Sequence, residues 1–341
     1  MNCKEYLKEL TSVCGPSGNE QAVAEKIKEF LKPICDVKTD VMGNVIATLD
    51  GDGIHFLLDA HTDQIGFVVT AVDDGGFLKV ASCGGVDRRA FLSHRVDVWG
   101  KEKVTGVISC QPPHLLSADS YKKCASVDEI AIDVGMTKEE AEKIISIGDR
   151  VTFKNFAPEL LGDSFSSAAL DDRSGVAAVI MAMYQLKENG CKSKVTAVFS
   201  TQEEVGIRGA KTASYGVGAD EAIAVDVSFA LTPDANALEC GVMGDGPMIG
   251  ISPILSKEMY NDFKTVAKEK EIPYQLEVMG SLTGTDCDVI STNCGGIKTA
   301  LLSIPQRYMH TQVECVNIKD VENTAHLISS YILKKGGENN A

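Results

Sequence analysis

Apolar positions in this chain pass from a helical period to an alternating one and back again. Ala22, Ile27, Phe30 and Leu31 make one stripe of a helix predicted over 19–31, with Ser17 or Asn19 available to cap it. Short apolar runs at 44–49 and 54–60 predict two strands. From Gly66 onward, runs at 67–69, 77–80, 95–99 and 103–108 predict further strands, punctuated by Gly75-Gly76 and Gly84-Gly85. Thr137 and Glu140 form a capping box that opens a helix reaching about residue 147, and 150–153 reads as one more strand. The stretch 67–160 is therefore expected to be a β-rich module.

After Gly162, strands and helices alternate. Helices are predicted at 173–187, 257–270 and 320–334, and strands at 194–200, 221–227 and 298–304. Residues 334–340 are polar and are expected to fray. This alternation predicts an α/β fold with a mixed, mostly parallel sheet flanked by helices. Residues 1–66 and 161–341 would build it, and 67–160 would be an insertion.

A length of 341 residues accommodates that arrangement, and 44% hydrophobic residues suffice for a core. With 33 basic and 48 acidic residues, the net charge is −15. Nucleic acid is not an expected partner, because its phosphates need a basic face. The eleven cysteines are scattered without a C-x-x-C pair, so reduced thiols are expected rather than a disulfide framework or a zinc ribbon. The start carries no signal-peptide core, and no run of about 18 apolar residues predicts a membrane span. The cytoplasm is the expected location.

Candidate chemistry lies where predicted strands end and helices begin, the place where functional groups gather in open α/β sheets. His61 and Asp63 follow one strand in Asp59-Ala60-His61-Thr62-Asp63. Asp171 precedes a helix, Glu203 and Glu204 follow the strand 194–200, Asp226 closes another, and His310 follows a third. Each has an ordinary structural reading: an exposed His-Asp pair, a solvated acidic pair, a helix cap. Five such junctions together favour a shared site. Two imidazoles with several carboxylates suit zinc, cobalt or manganese, and one carboxylate could bridge two ions. Neighbouring carboxylates repel, so Glu203-Glu204 needs a reason to enter one site. A cation supplies the reason for one, and the other is then available as a general base. Asp63 is placed to orient the His61 ring. Asp286, in Gly284-Thr285-Asp286, would line a pocket or cap a turn. No G-x-G-x-x-G, P-loop or G-x-S-x-G motif occurs.

Over nearly its whole length the sequence resembles the tetrahedral (TET-type) dinuclear metallo-aminopeptidases, relatives of glutamyl, leucyl and lysyl aminopeptidases, some of which are labelled endoglucanases. The carriers are Cys14-Gly15-Pro16-Ser17-Gly18, the run Asp59 to Gly66, Ala169-Leu170-Asp171-Asp172-Arg173-Ser174-Gly175, Gln202 to Ala210, Gly284-Thr285-Asp286 and Ile304 to His310. The resemblance implies that Asp171 bridges two divalent metals, His61 and Asp226 completing one site and Glu204 and His310 the other. It makes Glu203 the general base and Asp63 the partner of His61. It implies a cis peptide between Asp171 and Asp172, a PDZ-like dimerisation domain at 67–160, and a homo-dodecamer built from dimers. The substrates would be short peptides with a free amino terminus. Family members often carry Glu after the His-x-Asp; Gln64 stands there in this chain, which bears on local charge and specificity.

Two rival readings keep the same residues. A glycoside hydrolase of the endoglucanase type would need two carboxylates flanking a sugar and no metal; the histidines among the acids speak against it. A non-catalytic assembly protein would keep the shell and lose ligands, and no expected ligand position is lost here.

Overall fold

The computed structural model describes residues 1–117, 122–158 and 160–338, in which sixteen strands divide between a ten-stranded sheet and a closed six-stranded barrel. The chain opens with helix α1 (Cys3–Ser12), which the sequence reading did not anticipate. Cys3, Tyr6, Leu7 and Leu10 bury one face of it, and Asn2 and Glu5 form a capping box. Helix α2 (Gln21–Leu31) starts later than expected and lacks a side-chain cap. Ser17, one of the two expected caps, instead donates to Asp63 at 2.6 Å.

Strands β1 (Asp36–Thr39), β2 (Val45–Leu49) and β3 (His55–His61) then begin the sheet. The barrel follows, formed by β4 (Gly66–Val72), β5 (Leu78–Cys83), β6 (Arg95–Trp99), β7 (Lys103–Ile108), β8 (Ile132–Asp133) and β9 (Arg150–Phe153), with α3 (Lys138–Ile144) between the last two. Thr137 and Glu140 form the expected capping box on α3. The barrel has a core of its own, in which Phe67 packs edge-on against Phe91 and Phe153.

The chain returns to the sheet through β10 (Ser164–Ser167) and the long helix α4 (Leu170–Glu188). Then come β11 (Lys194–Ser200), α5 (Arg208–Val217), β12 (Glu221–Phe229), β13 (Met248–Ile251), α6 (Lys257–Glu269), β14 (Gln275–Val278) and the short α7 (Cys287–Ile290). β15 (Lys298–Arg307), β16 (Glu314–Asn317) and α8 (Ile318–Glu338) complete the fold. Residues 335–338, expected to fray, extend α8, tied by Lys335 to Asp262 at 2.5 Å; 339–340 lie outside the described residues.

The sheet runs β1-β2-β11-β3-β12-β15-β13-β14, with β16 on β15 and β10 on β16. Its centre, β11-β3-β12-β15, is parallel, and so is β13-β14. The other five pairings are antiparallel, so the expectation of a mostly parallel sheet holds only in the middle. Parallel neighbours need crossover connections, whereas β1 and β2 join through a short turn. The central strands read as unbroken apolar runs because both faces are covered. Phe56, Leu58 and Ala60 of β3 face the core shared with α1, α2, α4, α6 and α8, while Leu57 faces the core under α5 and α7. Among the described residues no helix is long and apolar enough to cross a membrane.

Candidate active site

The parallel centre of the sheet delivers the acids and imidazoles to one edge. β3 ends at His61, whose register partner on β11 is Ser200, so the next residues of both chains emerge side by side. Glu203 and Glu204 follow from β11. Asp226 lies one strand further over, within β12, which continues to Phe229 rather than ending at Val227. The loop after β15 carries His310, and the start of α4 carries Asp171. The Asp171–Asp172 peptide is cis, as the resemblance implied. Ala169, Gln202, Tyr308 and His310 all hold left-handed φ angles of 59° to 62°, each at one of these residues or within two positions of it. Such conformations are costly for non-glycine residues and gather where surrounding structure enforces a site.

Five of the six residues form two overlapping trios: His61, Asp171 and Asp226 make one, and Asp171, Glu204 and His310 the other. A further combination joins His61 to Glu203 and Glu204. Asp171 is shared, one oxygen facing His61 Nε2 at 3.0 Å and the other facing His310 Nε2 at 3.3 Å. Asp226 lies 3.9 Å from His61 Nε2, and Glu204 lies 3.4 Å from His310 Nε2. Each trio spans less than 4.8 Å between donor atoms. Mixed nitrogen and oxygen donors at that spacing fit divalent cations such as zinc, cobalt or manganese.

Both rings are held so that Nε2 faces the acids. His61 Nδ1 lies 3.2 Å from the Asp63 carbonyl and 3.5 Å from its carboxylate. His310 Nδ1 lies 2.8 Å from the Gly85 carbonyl. A carbonyl only accepts, so Nδ1 donates and a neutral ring leaves Nε2 free to ligate. Asp63 is fully buried and also accepts from the Ser17 hydroxyl and from the N–H groups of Glu203 and Glu204, at 2.9 and 3.2 Å. It thus ties the histidine to the acidic pair.

Titration reflects the crowding. Burial pushes Glu203 up to about 7 and Glu204 up to about 8. Asp226 rises through burial and then through Asp172. Burial would also raise Asp171, but its bonds to His310 and His61 hold it below the usual carboxylate range. Burial would depress His310, yet Asp171 and Glu204 lift it to about 10. His61 is raised in the same way by Asp171 and Asp63.

Several supporting residues escaped the sequence reading. Glu314, 1% exposed, accepts the Asp171 N–H at 3.1 Å and the His310 N–H at 3.0 Å. An acid between Val313 and Cys315-Val316 was its one sequence signal. Gly85, read only as punctuation, comes from the barrel, and a Cβ there would sit 3.0 Å from His310 Nδ1. Arg173 is fully buried and binds the Thr62 and Leu10 carbonyls at 2.9 and 2.8 Å, joining the start of α4 to the segment after His61. Asp286 neither lines the cavity nor caps a helix with its side chain: it accepts from Ser200 at 2.7 Å behind the site, close enough to Asp59 for each to bear on the other's titration. Gln64 is buried beside Cys14 and Trp99 in a separate small cavity.

Both trios open into a cavity of about 450 Å³. Its other walls include Gly85, Ser228, Glu277, Thr283, Leu301 and Met309.

Residues 43–327 match the M42 glutamyl aminopeptidase family, and the chain belongs to that family. A lysyl aminopeptidase of Pyrococcus furiosus is 36% identical over 337 residues, 96% of each chain. Among solved structures, an aminopeptidase from the archaeon Desulfurococcus kamchatkensis superposes with a TM-score of 0.92 at 35% identity, over 97% of this chain and 94% of that one. The Pyrococcus horikoshii TET1 peptidase, which can assemble into a tetrahedron or a large octahedral shell, gives a TM-score of 0.87 at 32% identity, over 98% and 100% of the two chains.

Proposed function

We propose that the chain is a metal-dependent aminopeptidase that removes amino-terminal residues from short peptides, with Glu203 as general base. The observation carrying this reading is the shared carboxylate of Asp171, whose two oxygens face separate imidazoles at 3.0 and 3.3 Å. His61, Asp171 and Asp226 would hold one divalent cation, and Asp171, Glu204 and His310 a second. Such a pair, when bound, supplies Lewis-acid polarisation of the scissile carbonyl and a more acidic attacking water.

Asp63 fixes His61 through its carbonyl and carboxylate and fixes Glu203 through the backbone N–H. Glu203 lines the cavity without being needed in either trio. Its raised carboxyl suits it to take a proton from the attacking water and pass it to the leaving amine. The carboxylate-rich wall favours the substrate's α-ammonium group, which would restrict attack to the amino terminus. Residues 67–160, containing the barrel, would be a PDZ-like dimerisation domain inserted between 1–66 and 161–341, and dimers would assemble into a cytoplasmic dodecamer. Light scattering would then give twelve times the 36.4 kDa chain mass.

The test is hydrolysis of free and amino-terminally acetylated peptides after chelation and after return of zinc, cobalt or manganese. Restored cleavage of the free peptides alone is expected. Cleavage of acetylated peptides, or chelator-insensitive release of sugar from a glucan, would overturn the reading.

A further inference from the structure

The active-site cavity contains a fifth carboxylate that neither trio uses. Glu277 projects from β14 into the same space as Asp171, Glu203, Glu204 and Asp226. Its two oxygens accept from the hydroxyls of Ser228 and Ser303, the second at 2.6 Å. An ionised carboxylate has about four acceptor positions, so two remain open after both serines have donated. Among the described residues no lysine or arginine lines the cavity.

We propose that Glu277 receives the cationic side chain of the substrate's first residue, so that the enzyme prefers peptides beginning with lysine or arginine. This rests on the aminopeptidase reading above. The placement fits the chemistry. Ser228 lies two residues beyond Asp226 on β12, on the same face and about 7 Å along the strand. Ser303 is Asp226's register partner on β15. The two anchors of Glu277 therefore bracket a residue of the reacting centre. A first residue with its amine and carbonyl at the cluster would need a side chain of several atoms to reach the carboxylate. Lysine and arginine have such stems, and Leu301 and Met309 supply apolar wall for them.

Other first residues do worse. A glutamate side chain directed at Glu277 would meet a like charge, with no lysine or arginine in the lining to offset it. An apolar side chain would cover Glu277 without replacing the water it displaces. The two serines also prepare the site, since each hydroxyl can only serve the carboxylate as a donor and holds it in one orientation.

Glu277→Gln keeps the shape and removes the charge. Its expected effect is a fall of about 10- to 100-fold in kcat/KM for lysyl and arginyl peptides, with less than threefold change for leucyl and methionyl peptides. Glu277→Lys should shift preference toward glutamyl peptides. A binding measurement separates this proposal from the activity itself. Calorimetry with free lysine, norleucine and glutamate should show lysine bound more than tenfold tighter than norleucine, with the difference lost in Glu277→Gln. Equal loss on every peptide would assign Glu277 to the α-amino group or to the fold and overturn the proposal. So would an unchanged preference in the variant, or a wild type indifferent to charge. If no peptide is cleaved with any metal, the aminopeptidase reading fails, and the binding comparison alone decides the role of Glu277.

Discussion

Replacing Glu314 by glutamine asks whether the two halves of the cluster are held as one unit. Glu314 presents one oxygen to the Asp171 N–H at 3.1 Å and the other to the His310 N–H at 3.0 Å. Glutamine has the same shape but one oxygen and one NH₂ group. Whichever way it turns, an amide donor meets a backbone donor. One buried N–H is then unpaired, at a cost of about 1–3 kcal/mol. Asp171 or His310 relieves that cost by shifting, and a shifted residue is a poorer ligand. If the whole cost appears in cation affinity, the range corresponds to about 5- to 150-fold. Loss of a group supporting a metal ligand typically costs about 10- to 100-fold, inside that window. Zinc affinity, measured by competition with a chromophoric chelator, should fall by that factor. Urea unfolding of the chelated variant should show no more than about 3 kcal/mol of lost stability. An affinity within threefold of wild type, with the fold intact, would refute the argument.

Three other outcomes follow from the same contacts. Glu203→Gln should retain cation binding by the same titration while losing about 10²- to 10⁴-fold in kcat, and a wild-type rate would remove Glu203 from the role of base. Chelation should lower the thermal midpoint by several degrees in scanning fluorimetry, since a ligand at 100 times its Kd stabilises by about 2.7 kcal/mol; an unmoved midpoint would argue against a cation at the cluster. Tyr331→Phe removes the 2.7 Å bond to buried Glu221 and should cost about 1–3 kcal/mol in urea unfolding, with activity of the folded enzyme unchanged.

Hydrophobic period located the large elements because their burial is continuous. β11 spans Lys194–Ser200 as read, and α4 exceeds its predicted range only at its ends. α5 was passed over because it buries only a narrow stripe. In α5 that stripe is Gly209, Ala210, Ala213 and Ser214, too small to stand out in the sequence. The cap of α2 was misread because a serine before a helix satisfies local rules, while Ser17 has a partner 46 residues away in Asp63. Sequence rules see neighbours along the chain, and the strongest competitor for Ser17 is a neighbour only in space.

The same distinction explains which parts of the site were legible. His61, Asp171, Glu203, Glu204, Asp226 and His310 announced themselves because acids and imidazoles at the ends of apolar strands conflict with their surroundings. Their supports do not conflict with anything nearby in sequence. Gly85 acts through its carbonyl, a group every residue has, and only the approach of the barrel to the β15 loop gives it His310 as a partner. Glu314 and Glu277 are single acids on short strands, and their meaning lies in what crosses over them: an N–H from the start of α4 and one from the loop after β15 for the first, two serines on separate strands for the other. Chemistry-bearing residues are thus readable where they violate a local pattern. Asp63, two residues from His61, is an orienting residue that local sequence could show; Gly85, Glu314 and Glu277 become readable only when the sheet has set its strands side by side.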